Sequence, residues 1–340
     1  MAKNKKLPRH LLVLRISAMG DVAMLPHALR ALRAAYPDLR ITVATQPLFR
    51  PFFEGLDVGF VDIDPKGSQH SLWGMLRMAV EVRRMGVDAV ADVHSVIRSA
   101  VFRRLLRLCG IPTAHIDKEH ARKRRFIRHG AAASAPLRHS VLRYCDVFRR
   151  LGFEFGDPAP VRPAERPNPL GPKQGRWVGF APFSAQPGKT YPADLAREAV
   201  RLLAARCERL FIHSGEKAEA DFAYEMEAAY PNVTALYGKI KLGDEIDLIA
   251  HLDCLVSMDS AAMHMAALVA TPVVSVWGAT HPGLGFLGWG CDPRNVLQAD
   301  MACRPCSVYG AKPCRFGNYP CLRAVTPQMI ADKVEEIINE

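Results

Sequence analysis

The sequence predicts an α/β protein built as two doubly wound domains, each a parallel sheet covered by helices. Three observations predict it. Short apolar runs alternate with helix-period segments along both halves of the chain. A proline-rich stretch near the middle interrupts both periods. The 340 residues also suffice for two cores, at roughly 100–200 residues per domain.

Taken in order, residues 11–16 read as a buried strand, followed by Val22, Leu25, Leu29, Leu32 and Tyr36 at helical spacing. Strands follow at 41–45, 60–63 and 89–93, with helices at 72–85, 99–108 and 140–151. Residues 156–175 hold Pro158, Pro160, Pro163, Pro167, Pro169 and Pro172. Prolines lack a backbone donor and restrict φ, so this stretch reads as a stiff linker. Beyond it, strands at 177–181, 210–213, 254–258 and 273–276 alternate with helices at 193–205, 216–229, 243–251 and 260–268. A helix at 327–339 closes the chain. The expected division is 1–158, a linker at 159–175, a second domain at 176–326 and a terminal helix at 327–340. Ligands of such sheets bind outside the carboxyl ends of the strands, so the expected site is a cleft between the domains.

The net charge of +11 is unevenly placed. Residues 1–160 hold 27 Lys and Arg against 14 Asp and Glu, whereas residues 161–340 hold 18 against 20. The densest patch contains Lys118, Arg122, Lys123, Arg124, Arg125 and Arg128, opposed only by Glu119. Such asymmetry implies an anionic partner. No helix-turn-helix, RNA-binding motif or aromatic stripe accompanies the patch, which argues against nucleic acid. No window approaches the ~20 apolar residues of a spanning helix, since Asp259, His264 and Pro272 break the longest candidate. Lys3, Lys5 and Lys6 before an apolar run mimic a secretion signal, but Arg15 ends that run early. The expected location is cytoplasmic.

Four segments could carry chemistry. Arg15-Ile-Ser17-Ala-Met19-Gly20-Asp21 joins the first strand to the first helix, where Asp21 serves either as an N-cap or as a carboxylate facing the sheet edge. With Gly20 alone it is no dinucleotide fingerprint. Residues 181–192 contain Ser184 and Gly188-Lys189-Thr190, but Phe183 stands where a phosphate loop needs its first glycine. Lys189 there suits a diphosphate as a point charge. His213-Ser-Gly215-Glu216 places a carboxylate that either accepts ribose hydroxyls or merely complements a helix dipole. Asp259-Ser260-Ala261-Ala262-Met-His264 opens a helix of small residues whose N–H groups suit a diphosphate, and Thr280 follows the next strand. His264 alone reads as a structural histidine.

In order and spacing, residues 15–22, 188–192, 213–216, 259–264 and 278–280 resemble the bacterial lipopolysaccharide heptosyltransferases of glycosyltransferase family 9. The resemblance implies a GT-B fold, an ADP-heptose donor and an inverting, metal-independent transfer to the Kdo–lipid A inner core. It implies Asp21 as general base and Lys189 as the partner of the departing diphosphate. Ser184, Thr190, Glu216, Asp259, Ser260, Ala261, Ala262, His264 and Thr280 become donor-binding candidates. Ser17, Met19, Gly20, Arg122, Lys123, Arg124 and Arg125 become acceptor-binding candidates. An anionic glycolipid would then bring the enzyme to the inner face of the inner membrane. Ala261 replaces a usual glycine of the family, and Tyr191 a frequent tryptophan.

Two other readings remain at this level: a GT-B transferase using another nucleotide sugar or acceptor, and a non-catalytic basic protein that binds anionic lipid or nucleic acid. The nine cysteines, an odd number without an export signal, argue against a disulfide framework. Cys303, Cys306, Cys314 and Cys321 cluster and could hold one structural zinc, or stay as thiols.

Overall fold

The computed structural model describes residues 7–64, 67 and 72–339. Lys3, Lys5 and Lys6 lie outside the described residues. The chain forms two compact units, one of Met1–Lys118 with Ser140–Ala159, the other of Glu119–His139 with Pro160–Glu340.

The first unit holds a five-stranded parallel sheet. Its strands are β1 (His10–Leu14), β2 (Arg40–Thr45), β3 (Gly59–Asp62), β4 (Ala89–Asp92) and β5 (Thr113–His115), in the order β3-β2-β1-β4-β5. β1 is buried along its whole length, as the apolar run Leu11–Leu14 in a helix-covered sheet must be, and buried His10 meets the Thr42 hydroxyl at 2.8 Å. The helix read from residue 22 onward is two, α1 (Met19–Ala23) and α2 (Leu25–Ala35). Pro26 sits in the first turn of α2, where its missing N–H has no partner to lose. α3 (Leu72–Arg84) and α4 (Ile97–Leu108) cross over to β4 and β5. α5 (His120–His129) belongs to the other unit, and α6 (Ser140–Arg149) completes the cover. Tyr36 at the end of α2 meets Phe153 edge-on at 5.2 Å.

The second unit holds six parallel strands: β6 (Trp177–Ala181), β7 (Arg209–Ile212), β8 (Val233–Ala235), β9 (Cys254–Met258), β10 (Val273–Trp277) and β11 (Val296–Gln298). Their order is β11-β10-β9-β6-β7-β8. The covering helices are α7 (Ala193–Ala204), α8 (Lys217–Ala229), α9 (Leu242–Ala250), α10 (Ala261–Val269), the short α11 (Pro320–Arg323) and α12 (Pro327–Asn339). Val178, Phe180, Leu203, Leu210, Val256, Val276 and Ile330 lie in one buried cluster. Residues 156–175 carry no helix or strand.

One segment departs from the sequence reading, which ran the first domain unbroken to residue 158. Residues 119–139, including α5 (His120–His129), pack with the second unit. Phe126 and Leu137 share a buried cluster with Leu284, and the Leu137 N–H donates to the Gly283 carbonyl at 2.8 Å. The segment holds six Lys or Arg and one Glu, so five of the first half's excess positive charges belong to the second unit.

In both sheets the strand order reverses once. In the first unit the reversal lies between the neighbours β1 and β4; in the second it lies between β6 and β9. Loops leaving the carboxyl ends of these strands diverge, which opens the crevice where ligands of this architecture bind. No helix among the described residues is long and apolar enough to cross a membrane.

Candidate active site

In the first unit, the chain leaves β1 through Arg15, Ile16, Ser17 and Ala18 and turns into α1, which carries Asp21. Arg15 is buried, with 6% of its surface exposed, and its guanidinium forms an ion pair with the Asp21 carboxylate. A second guanidinium N–H donates to the Val93 carbonyl, just past β4, at 2.5 Å. One arginine therefore ties together the two loops that flank the reversal. Burial opposes its charge, but Asp21, Tyr144 and Asp92 outweigh that and hold its pKa above the ordinary value. The Tyr144 hydroxyl donates to the Asp21 carbonyl at 3.1 Å, and its ring lies 5.8 Å from the Arg15 guanidinium. The Asp21 side chain stays about one-third exposed. Ser17 on this loop and Met19 and Gly20 at the head of α1 are half-buried.

Across the reversal, Asp92 ends β4 fully buried. Its carboxylate accepts from the N–H groups of His94 at 3.0 Å and Ser95 at 2.6 Å and pairs with Arg103 at 2.9 Å. This fixes the loop carrying His94. Burial, then the Arg15 charge, pushes the His94 imidazole down to about 4. The same two causes hold Lys118 below its ordinary value.

In the second unit, the loops after β6, β9 and β10 leave neighbouring strands, and side chains from all three meet at the sheet edge. Lys189 reaches Asp259 at 3.1 Å, and the Thr280 hydroxyl donates to the same carboxylate oxygen at 2.8 Å. Asp259 and Thr280 are buried, whereas the lysine keeps some exposure. A positive charge is thus held at the sheet edge by a carboxylate that is itself fixed from a third loop. Ser260 follows as the N-cap of α10, with Ala261 and Ala262 in its first turn. The Ser257 hydroxyl donates to the Met258 carbonyl at 2.8 Å, so its 3.1 Å contact with Ser260 uses the Ser260 proton. The first N–H groups of a helix lack intrahelical partners and suit an anion.

Glycines let these loops touch. The Gly188 N–H donates to the Gly310 carbonyl at 3.0 Å, and the Gly188 carbonyl accepts from Ala279 at 2.9 Å. A Cβ on Gly188 would stand 2.7 Å from the Gly310 oxygen and 2.8 Å from the Ala279 Cβ. Arg304 braces the same region: its guanidinium donates to the carbonyls of Gly278 at 2.5 Å and Thr280 at 3.1 Å and to that of Ala299.

Among the other candidates, the Thr190 hydroxyl is engaged within its own loop. It donates toward the carbonyl of Ser184 at 2.9 Å and accepts from the Ser184 N–H at 3.2 Å. Glu216 is exposed at the head of α8, one strand further along the edge. His213 pairs through Nδ1 with Glu245 at 2.8 Å. His264 is buried one turn into α10.

The basic patch is not where the sequence reading placed it. α5 lies in the second unit, and Lys123 is buried with Nζ 4.6 Å from the Phe286 ring centre and 5.3 Å from that of Tyr309. Its ammonium sits against aromatic faces, so only Arg122, Arg124 and Arg125 of the four candidates are exposed. Arg122 pairs with Glu119 at 2.5 Å.

Cys303, Cys306, Cys314 and Cys321 line one cavity of about 220 Å³. No group of three or more His, Cys, Asp or Glu among the described residues is gathered as a metal site. The cysteine segment nevertheless supplies Arg304 and Gly310 to the loops that carry Lys189 and Thr280. Sequence reasoning assigned no role to Arg15, Asp92, His94 or Arg304.

The family model for glycosyltransferase family 9 (heptosyltransferase) matches residues 75–319. The chain belongs to glycosyltransferase family 9. It is 23% identical over 308 residues to lipopolysaccharide heptosyltransferase 1 of Pseudomonas aeruginosa, covering 87% of this chain and 85% of that protein. Among solved structures, E. coli heptosyltransferase WaaC with ADP matches with TM-score 0.67 at 21% identity, over 96% of this chain and 99% of that one. E. coli ADP-heptose lipopolysaccharide heptosyltransferase II matches with TM-score 0.71 at 18% identity, over 97% and 98%. These likenesses establish the α/β, GT-B-like fold of this family 9 member.

Proposed function

We propose that this glycosyltransferase moves a heptose from ADP-heptose to the Kdo-bearing inner core of a lipopolysaccharide precursor, with inversion and without a catalytic metal. The observation that carries the reading is the placement of a carboxylate and an ammonium at the reversal points of two separate sheets. Asp21 marks the acceptor side and Lys189 the donor side. The names of the relatives, which include a heptosyltransferase held with ADP, support the choice of donor.

In this chemistry the Asp21 carboxylate accepts the proton of the acceptor hydroxyl as that oxygen bonds to the anomeric carbon. The bond from that carbon to the diphosphate breaks, and ADP leaves with the electron pair. One displacement from the opposite face inverts the centre. Arg15 keeps one carboxylate oxygen of Asp21 in place and leaves the other for the incoming proton. Lys189 and the N–H groups at the head of α10 oppose the charge that grows on the diphosphate, the task a metal would otherwise perform. Ser260 adds a hydroxyl to the same group, and exposed Glu216 lies where ribose hydroxyls would reach it. Thr280 and Asp259 contribute by holding Lys189. The acceptor is an anionic glycolipid, which takes the enzyme to the cytoplasmic face of the inner membrane.

Calorimetric titration with ADP, UDP and GDP tests the donor: ADP should bind most tightly, and preference for another base would overturn the heptose assignment. Asp21→Asn tests the base. Turnover should fall about 10²–10⁴-fold while ADP affinity stays unchanged. Equal turnover in that variant would remove Asp21 from the chemistry.

A further inference from the structure

α4 has two apolar faces. Ser99, Phe102 and Leu106 are buried against the sheet, as a covering helix requires. On the opposite side Ile97, Val101, Leu105 and Leu108 recur at helical spacing, within about 80° of one another at ~100° per residue. Ile97 and Leu108 are 87% and 86% exposed, the highest values among the exposed large hydrophobics of the described residues. Val101 and Leu105 are half-buried between them. Single exposed apolar side chains are ordinary, but a stripe running the length of a helix is not.

The charges around the stripe are all of one sign. α4 contains four arginines and no acidic residue. Arg98 and Arg104 are exposed and flank the stripe on either side. Arg107 is exposed too, with its guanidinium on Thr113 at 2.8 Å. Arg103 turns the other way, to Asp92. An apolar strip rimmed by arginines complements an anionic membrane surface, where the strip enters the acyl boundary and the guanidinium groups meet phosphates.

We propose that this outer face of α4 docks the protein on an anionic phospholipid bilayer. The position has a consequence for turnover. α4 begins immediately beyond the Asp92–Ser95 loop, whose Val93 carbonyl is bonded to Arg15, the partner of Asp21. Docking therefore holds the acceptor-side loops at the membrane surface, where a lipid-anchored acceptor arrives. The proposal deepens the reading above and rests on it only for that consequence; the surface itself is argued from α4.

The test is flotation of the purified protein with vesicles of phosphatidylglycerol in phosphatidylcholine, and with phosphatidylcholine alone. Wild type should float with the anionic vesicles and be released by high salt. Ile97→Asn with Leu108→Asn should weaken binding at least tenfold, and Arg98→Gln with Arg104→Gln about fivefold per arginine. ADP affinity and melting temperature should stay at wild-type values in both variants. Turnover should fall only with vesicle-embedded acceptor, not with a deacylated, water-soluble one. Absence of wild-type flotation, or variants that float as well as wild type, would overturn the proposal. So would loss of binding through Arg124→Gln with Arg125→Gln on α5 instead. A wild-type dimer in sedimentation that Ile97→Asn abolishes would make the stripe a self-interface and sink it equally. Vesicle binding without turnover on either acceptor would leave the surface standing and remove the proposed reaction.

Discussion

Thr280 takes part in the proposed donor site through its neighbours. It is fully buried, and its hydroxyl is spent on Asp259, which in turn holds Lys189. Thr280→Val removes one hydrogen bond to a charged acceptor, so stability should fall by about 1.5–3 kcal/mol in urea denaturation. ADP affinity should drop only modestly, through a less fixed lysine. A large loss of ADP affinity at unchanged stability would show direct contact with the donor instead. His94 gives a pH signature in the other unit. Its folded-state pKa lies near 4 against an ordinary 6.5, so protonation favours the unfolded chain. Its contribution is complete above about pH 6.5, declines as pH falls toward 4, and is absent below that. His94→Asn should flatten this part of the stability–pH curve. Denaturation midpoints between pH 7 and 4 check this, and an equally steep decline in the variant would assign the effect to other groups.

At the scale of elements, the proposed donor side depends on three loops packed at glycine distance. Gly188→Ala puts a methyl group against backbone on one side and a side chain on the other, neither of which can move without shifting Gly310 or Ala279. A cost of about 1–3 kcal/mol is expected, with Lys189 displaced and ADP affinity reduced. Wild-type melting and ADP titration in this variant would show that the loops have room to spare. The central strands could be read in advance because burial on both faces makes them nearly continuous apolar runs. β5, β8 and β11 are three residues each, too short to show any period. α5 was invisible as a helix because its buried face amounts to Lys123 and Phe126, and the rest reads as a solvated basic run. That Asp21, Lys189 and Asp259 lie at a sheet edge was legible from loop position, since strand ends announce that edge. Their partners were not. Arg15 reads as the polar end of a strand, yet it is buried as the clamp on Asp21. Arg304 sits in a segment without period, and only the fold brings it onto the carbonyls of Gly278 and Thr280.

For the molecule as a whole, the crossing of residues 119–139 separates charge from sequence position. The basic helix α5 belongs to the unit that carries Lys189, while Asp21 stands in the other. Neither unit is a contiguous stretch of chain, so a cut in the proline-rich stretch leaves Leu284 without Phe126 and Leu137. The proposed division of labour can nevertheless be read in the intact protein by hydrogen exchange. ADP at about 100 times its Kd stabilises the species that binds it by ~2.7 kcal/mol. Local opening of the loops that hold the nucleotide should be suppressed by a similar factor. Slowed exchange is therefore expected around Gly188–Thr190, at the head of α10 and at Gly278–Thr280, whose amides are linked through Gly188, Ala279 and Arg304. The loop from Arg15 to Asp21 should exchange as in the free protein until an acceptor is added, because its restraints come from Val93 and Tyr144 within its own unit. Protection by ADP alone at that loop, as strong as at Lys189, would mean that the donor is held from both sheets and that Asp21 serves the nucleotide rather than the acceptor.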